Sequence, residues 1–525
     1  PGLLTALVTE RTDDAAALAD RLGLMAPADA TAAVTPEAVT LGGIPLAALP
    51  LAEVRRRILV SDTAAVLFSG ALGDRLGRKR ALLGGLVIFG GMALVASFAG
   101  SPAQLIAARA VMGIGAALIM PATLSIITNV FPPHERQRAI ATWAGLAGAG
   151  GAIGPLMSGI VLNAGWWWGS VFLVNIPLVV VLIGLVWFVV PNSKNPNGEA
   201  LDPPGAVFSV IALGGLVFAI IEGPEWGWLS GGVLGTFALA LLGGAAFIAW
   251  ELRAAHPMLD PRLFKLRGFG MGSLAITLAF FCMFGTFFLI SQYLQFVHGY
   301  SALGSAVRTL PSAIVMIIVS PRSPKIVARF GVRNCVRGGF GLITLGFVGM
   351  STLGVTSAYW HLAIFLCVMS TGMATLMAPA SGMIVSSLPL SKSGVGSAVN
   401  DVTREVGGAL GIAIMGSVLA SGFSSKMADR IKDLPIPAGP RELIEDSIGK
   451  AFGVSDEAVR SGLIPRSAGE LIHDSAREAF VNGSRIAFFV AAAVAAVGAL
   501  VAGNLIPDET PEHGSVVDPV PASAG

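Results

Sequence analysis

The sequence is short of charged residues, of cysteine and of nucleotide-binding motifs. Only 13% of its 525 residues are charged, about half the share in soluble domains, and the basic residues form no face that would bind nucleic acid. The three cysteines have no metal-ligand spacing, so neither a disulfide framework nor a metal site is indicated. No G-x-x-x-x-G-K-[ST] phosphate loop is present, which argues against ATP hydrolysis. These absences predict a protein that is not an enzyme and that uses no cofactor, ATP or nucleic acid.

What the chain has in abundance is hydrophobic residues, at 54%, and glycine, at 66 residues. Many of the hydrophobic residues lie in twelve long apolar runs, most of them near the roughly 20 residues that cross a bilayer as a helix. This pattern predicts an all-α, polytopic protein of the cytoplasmic membrane. The runs are centred on residues 81–99, 103–127, 139–162, 170–190, 204–221, 231–250, 271–295, 304–320, 336–355, 361–385, 396–420 and 484–506.

The connections between the runs differ sharply in charge. Alternate connections, beginning with 73–80, contain 17 Lys and Arg residues, and the short connections between them contain none. Because basic loops stay on the cytoplasmic side, the basic connections are predicted to be cytoplasmic. Residues 422–483 carry both signs of charge, and we expect them to form an exposed loop outside the cell, with one or two short helices such as around 441–452.

The stretch GALGDRLGRKR at 70–80 is a tight basic loop beside the first run. It resembles the signature loop between helices 2 and 3 of the major facilitator superfamily, which implies a conformational latch between two bundles. A plain juxtamembrane anchor is the alternative, and it explains the charges but not the spacing of the glycines and the aspartate. The latch residues are Gly70, Gly73, Asp74, Arg75, Gly77, Arg78 and Lys79. The stretch PRSPKIVARFGVR at 321–333 repeats part of this pattern in the second half of the chain.

The run GLAGAGGAIGPLMSG at 145–159 has small residues at three- and four-residue spacing, which suits close helix packing. Pro155 removes a backbone donor and is expected to bend the helix. With Gly150, Gly154 and Gly159 it resembles the antiporter motif on the fifth helix of the family, which implies export. The alternative is a generic small-residue packing face.

Four charged residues in apolar runs are candidates for proton relay, because a buried charge in a membrane is costly without a function or a partner. Arg109 resembles the arginine of the family's fourth-helix motif; the alternative is a side chain that reaches the outer interface. Asp401 and Arg404 form an i, i+3 pair on one helix face, and Asp401 is either a titrating group or a plain helix-start acid. Glu222 is the fourth candidate, near the outer face.

The resemblance covers about residues 64–506 and implies the fourteen-helix drug:H+ antiporter branch. The implied fold has two pseudo-symmetric six-helix bundles with two inserted helices. The predicted parts are an N-terminal bundle at 64–190, a loop and inserted helices at 191–250, a C-terminal bundle at 251–506 and a disordered tail at 507–525. The family's first helix is not visible, so we expect the chain as given to transport poorly or not at all. Residues 1–63 instead resemble a fragment of an ABC-exporter ATPase domain, a short α/β segment foreign to the family.

The function implied by this resemblance is proton-coupled efflux of amphipathic drugs or antibiotics. The partners are then a small amphipathic substrate, protons and the lipid bilayer, without a metal. Two alternatives stay open: an exporter of one metabolite or self-made antibiotic, and a non-functional fusion or truncated transporter.

Overall fold

The computed structural model describes residues 77–191, 202–255, 257, 259–388, 393–432, 436, 438–462 and 464–506. It also describes two short strands, β1 (Thr40–Leu41) and β2 (Ile44–Pro45), which pair antiparallel. The predictions for Gly70, Gly73, Asp74 and Arg75, for most of residues 1–63 and for the tail 507–525 concern segments outside the described residues.

The rest of the described chain is almost entirely helical, and each of the twelve apolar runs lies mainly on a helix. Short 3₁₀ turns occur at Pro261–Lys265 and Ser320–Arg322, and a π turn at Tyr293–Val297. The α-helices are α1 (Arg78–Ser97), α2 (Pro102–Val130), α3 (Pro133–Asn163), α4 (Ser170–Leu173), α5 (Asn175–Val189), α6 (Pro203–Trp226), α7 (Gly231–Glu251), α8 (Arg267–Gln292), α9 (Ala302–Val319), α10 (Ser323–Phe330), α11 (Val332–Met350), α12 (Tyr359–Ser386), α13 (Ser393–Ile431), α14 (Ala438–Asp446), α15 (Ile448–Arg460) and α16 (Arg466–Leu505).

Ten helical segments in the described part of the chain are long and apolar enough to cross a membrane. The prediction of an all-α polytopic membrane protein is therefore confirmed. Several helices begin at a serine in a short uncharged connection, where the hydroxyl accepts a hydrogen bond from a free backbone N–H. Ser101, Ser230 and Ser301 cap α2, α7 and α9 in this way. Such caps typically stabilise a helix by about 1 kcal/mol.

The helices pack around two main hydrophobic cores. One core joins α1, α2, α4 and α5 and contains Leu86, Phe89, Ile119 and Phe172. The larger core joins α8, α11, α12, α13 and α16. Helices α6 and α7 pack on each other, and α6 also contacts α13. The result is two helical bundles with the α6–α7 pair against the second one.

The internal repeat has a matching backbone conformation. Gly77 precedes α1 with φ 102°, and Gly331 precedes α11 with φ 77°. Positive φ is readily adopted only by glycine. The two glycines occupy the same place in RLGRK and RFGVR, so the same turn starts a helix in both halves of the chain.

The prediction of an exposed loop over 422–483 is wrong in its extent. Helix α13 continues to Ile431 and α16 begins at Arg466, so the connection between them is 432–465 and includes α14 and α15. The two short helices are as expected, but part of each is buried and not exposed. Apolar residues buried at helical spacing among the charges explain the error, because a search for unbroken apolar runs does not detect an amphipathic helix. They include Phe423, Met427, Ile431, Ile472, Ala476 and Phe480.

The three tyrosines of the chain meet at one end of the second bundle. The Tyr293 hydroxyl donates to the Gly354 carbonyl at 2.8 Å, and the Tyr359 hydroxyl donates to the Arg308 carbonyl at 3.0 Å. The Arg308 guanidinium stacks 3.5 Å from the Tyr300 ring centre. These contacts tie the π turn after α8 to the α11–α12 connection, and α9 to α12, at the ends that are predicted to face outside.

The sidedness of the protein can be tested on the α14–α15 segment. A cysteine replacing Glu457, which is exposed on α15, is expected to react with a membrane-impermeant maleimide in intact cells. Ser455 is unsuitable because it is buried. Glu135→Cys, in a basic connection, is the matched control and should react only after permeabilisation. The native cysteines would first be replaced by serine. The reverse labelling pattern would overturn the topology.

Candidate functional site

The glycine motif of α3 forms a close contact with α9, whose Met316 belongs to the core of the second bundle. A Cβ added at Gly145 would lie 2.8 Å from the Ser320 Cβ, and one added at Gly159 would lie 3.1 Å from the Leu303 Cα. Helices α3 and α9 therefore run antiparallel in close contact over about four turns. Gly150 and Gly154 are also buried, and α3 continues as a helix through Pro155. The structure supports close packing at this motif, whereas the bend at Pro155 stays a prediction.

The first half of α3 belongs to the core of the other bundle. Ile140, Trp143 and Ala144 are buried with residues of α8, α12 and α13. The Ser320 hydroxyl, fully buried, donates to the Ala141 carbonyl at 2.6 Å. These contacts lie at the end of α3 that follows a basic connection. The bundles are therefore closed against each other at the end predicted to be cytoplasmic.

Asp401 and Arg404 lie inside this closed interface. The Arg404 Nη1 is 3.4 Å from the Asp401 Oδ1. Asp401 is only 1% exposed and Arg404 only 2% exposed. The guanidinium also lies over two aromatic rings, 5.2 Å from the centre of Trp143 on α3 and 4.6 Å from that of Phe280 on α8. Cation–π contacts of this kind contribute about 2 kcal/mol when desolvated. Arg404 thus joins helices of both bundles.

The pair is incompletely satisfied, which is unusual for buried polar groups. Within the described part of the chain, Asp401 Oδ2 and Arg404 Nε have no hydrogen-bond partner. The Asn400 amide lies beside the Asp401 carboxylate, but neither of its polar atoms makes a hydrogen bond of normal geometry to a described residue. A buried ion pair costs desolvation that such contacts only partly offset. The site is therefore poorly explained by stability alone.

Arg109 lies elsewhere, in the core of the first bundle. It is 3% exposed, and its guanidinium is 5.6 Å from the ring centre of Phe172 on α4. The alternative that this side chain reaches the outer interface is therefore wrong. Its role in proton relay stays a prediction.

Glu222 is buried on α6, at 2% exposure, beside the second bundle. Nearby, Val217 of α6 packs against Ala409 of α13, and the Trp228 indole donates to the Ser417 hydroxyl at 3.3 Å. The α6–α7 pair is therefore docked on α13. The four relay candidates lie on three helices, and two of them, Asp401 and Arg404, contact each other.

The described end of the latch contacts its own bundle. The Lys79 ammonium donates to the Trp187 carbonyl of α5 at 2.7 Å and lies 5.9 Å from the Trp187 ring centre. Arg78 is buried in the first turn of α1. A cation at the end of α5 is favourable because helix carbonyls are left unpaired there. These contacts anchor α1 to α5, and the latch to the second bundle stays a prediction.

Sequence reasoning missed Trp143, Phe280 and Ser320 as parts of the interface. A tryptophan or phenylalanine in an apolar run has no distinctive spacing, so nothing in the run alone separates it from a lipid-facing residue. A usable signal for Trp143 is its position, since it directly precedes the small-residue stretch that begins at Ala144.

Two bundles of membrane-length helices that meet along a glycine-faced helix, with a charge pair buried between them, have the architecture of a membrane transporter. The profile of the Major Facilitator Superfamily matches residues 58–412. The chain belongs to this family.

Relatives and a solved structure agree with this assignment. The multidrug efflux pump LfrA of Mycolicibacterium smegmatis is 33% identical over 84% of this chain and 85% of its own length. The tetracenomycin C resistance and export protein of Streptomyces glaucescens is 31% identical over 89% of this chain and 86% of its own. The fold resembles the POT family transporter PepTSo with a TM-score of 0.56 at 14% identity, covering 96% of this chain and 97% of that one.

Proposed function

We propose that this protein exports amphipathic drugs or antibiotics across the cytoplasmic membrane in exchange for protons. The observation that carries the proposal is the buried, incompletely satisfied Asp401–Arg404 pair in the contact between the bundles. Intramembrane carboxylates are rare and mark proton or substrate pathways. The efflux and export names of the relatives support the direction of transport and the class of substrate. The proton gradient, and not ATP, is the proposed energy source.

In the proposed cycle, substrate and proton compete for one site between the bundles. Asp401 carries the proton, and Arg404 positions its carboxylate and balances its charge. A protonated Asp401 no longer holds Arg404 by charge, which weakens the closed interface and allows the bundles to exchange sides. Arg109 and Glu222 are secondary relay groups in this proposal. The glycine motif of α3 is the packing surface along which the two bundles change their relative orientation.

The test is dye uptake into inverted membrane vesicles. A fluorescent lipophilic cation should accumulate when respiration acidifies the vesicle lumen, and nigericin, which collapses the pH gradient, should release it. Accumulation that survives nigericin but needs ATP would contradict proton coupling. Absence of uptake at equal membrane expression would instead favour the non-functional alternative.

An exporter of one antibiotic is the second candidate, and the tetracenomycin C export protein among the relatives favours it. A susceptibility panel separates the two. Resistance to several unrelated amphipathic compounds supports multidrug export, and resistance to one compound supports a dedicated exporter.

A further inference from the structure

A cavity of about 500 Å³ lies between the end of α2 and the start of α3. Ile127, Phe131 and Leu146 form part of its apolar wall, and the exposed Glu135 and Arg138 also line it. Its charged residues belong to a basic connection, so it lies at the end of the bundles that is predicted to be cytoplasmic.

Trp143 is shared by this cavity and the buried charge pair. Its side chain lines the cavity, and its ring lies 5.2 Å from the Arg404 guanidinium, which is in turn 3.4 Å from Asp401. The residue is 3% exposed, and its indole N–H has no hydrogen-bond partner among the described residues. Trp143 therefore connects the cavity to the buried charge pair, in the order Trp143, Arg404, Asp401.

We propose that Trp143 is the barrier that keeps the proton on Asp401 from the cytoplasmic cavity while the bundles are closed, and that it does so by holding Arg404 against Phe280. The inference rests on the proposed proton-coupled export. Trp143 lies on α3 whereas Arg404 and Phe280 lie on α13 and α8, so separation of the bundles removes the barrier. Proton release to the cytoplasm is then tied to the conformational change. Trp143 is a positioning residue in this scheme, since it touches neither proton nor substrate.

Other charged groups on the helices that carry or surround the pair stay unchanged in every variant of the test. On α13 the Glu405 carboxylate interacts electrostatically with Arg404. Arg267 begins α8, and Arg109 on α2 lies away from the pair, in the first bundle. On α3 the groups before Trp143 are His134, Glu135, Arg136 and Arg138. Because these residues are unchanged in every variant, a leak that stops when Asp401 is replaced by asparagine passes through Asp401 and not through them.

The experiment measures proton leak in proteoliposomes without any substrate, using a pH-sensitive dye inside the vesicles. Trp143→Ala should raise the rate of proton entry on the order of tenfold over wild type, because water then reaches Asp401. Trp143→Phe, which keeps a ring over Arg404, should stay within about twofold of wild type. The double variant Trp143→Ala/Asp401→Asn should return to the wild-type rate.

Trp143→Leu covers the case in which the alanine variant does not fold. Leucine fills much of the space but offers no aromatic face to the guanidinium, so it should also leak. A Trp143→Leu protein with the wild-type rate of proton entry would overturn the proposal. So would a leak that persists in the double variant. Wild-type vesicles that take up no dye would instead count against the proposed export, and the leak assay is independent of that result.

Discussion

Asp401→Asn is expected to abolish proton-driven dye accumulation while leaving downhill exchange of the dye intact. The amide has nearly the shape of the carboxylate but cannot bind and release a proton in the physiological pH range. We expect accumulation to fall to roughly a tenth of wild type or less, as for an intramembrane acid that carries the coupled ion. Breaking a buried ion pair costs about 3–5 kcal/mol when no group replaces the lost charge, so a lower melting temperature is also expected.

The matched control is Asp429→Asn on the same helix. Asp429 is exposed near the end of α13, and its loss should leave accumulation and stability unchanged. Wild-type accumulation by Asp401→Asn would show that another carboxylate carries the proton, and Glu222 would then be the first to examine.

Gly145→Leu is expected to stop transport almost completely without preventing membrane insertion. Even a Cβ at this position would lie 2.8 Å from the Ser320 Cβ, and the Met316 carbonyl oxygen would be 3.2 Å away. The leucine therefore forces α3 and α9 apart, at a cost of about 1–3 kcal/mol or more for overpacking. Insertion depends on the apolar runs and should persist.

Gly341→Leu on α11 is the control for this change, because a Cβ there would meet no atom within 4 Å. It should express and transport like wild type. Equal dye accumulation by both variants would mean that the α3–α9 contact is not part of the transport cycle.

The helices could be predicted because membrane insertion imposes a simple physical rule. A spanning helix needs an unbroken apolar stretch, so the runs at 81–99 and 361–385 are visible without any tertiary information. The repeat of the RLGRK pattern in the second half of the chain was visible for a related reason. A turn with positive φ requires glycine, so a glycine stands at the same place in both copies of the pattern, as Gly77 and Gly331.

Other features depend on contacts that a linear reading does not contain. The extensions of α13 and α16 carry charges on one face and buried residues such as Met427 on the other, so they resemble soluble sequence. The site was only half predictable. Asp401 and Arg404 are three residues apart and could be paired from spacing. Trp143 lies more than 250 residues earlier and meets Arg404 through tertiary packing.

The same distinction explains the fate of Arg109. A cation two turns from a connection is compatible with a side chain that reaches the interface or one that stays inside. Only the packing of α4 decides between them, because Phe172 lies over the guanidinium. Burial of this kind depends on how the helices pack and cannot be recognised from a single apolar run.

The most direct test of the account is substrate-induced proton release from the purified protein. If substrate and proton compete for the Asp401 site, adding a saturating lipophilic cation to detergent-solubilised protein in weak buffer should acidify the solution. The expected release approaches one proton per bound substrate at the pH where Asp401 is protonated in the free protein, and Asp401→Asn should bind the cation and release none. Binding of the cation without proton release by the wild-type protein, or equal release by Asp401→Asn, would contradict the central claim.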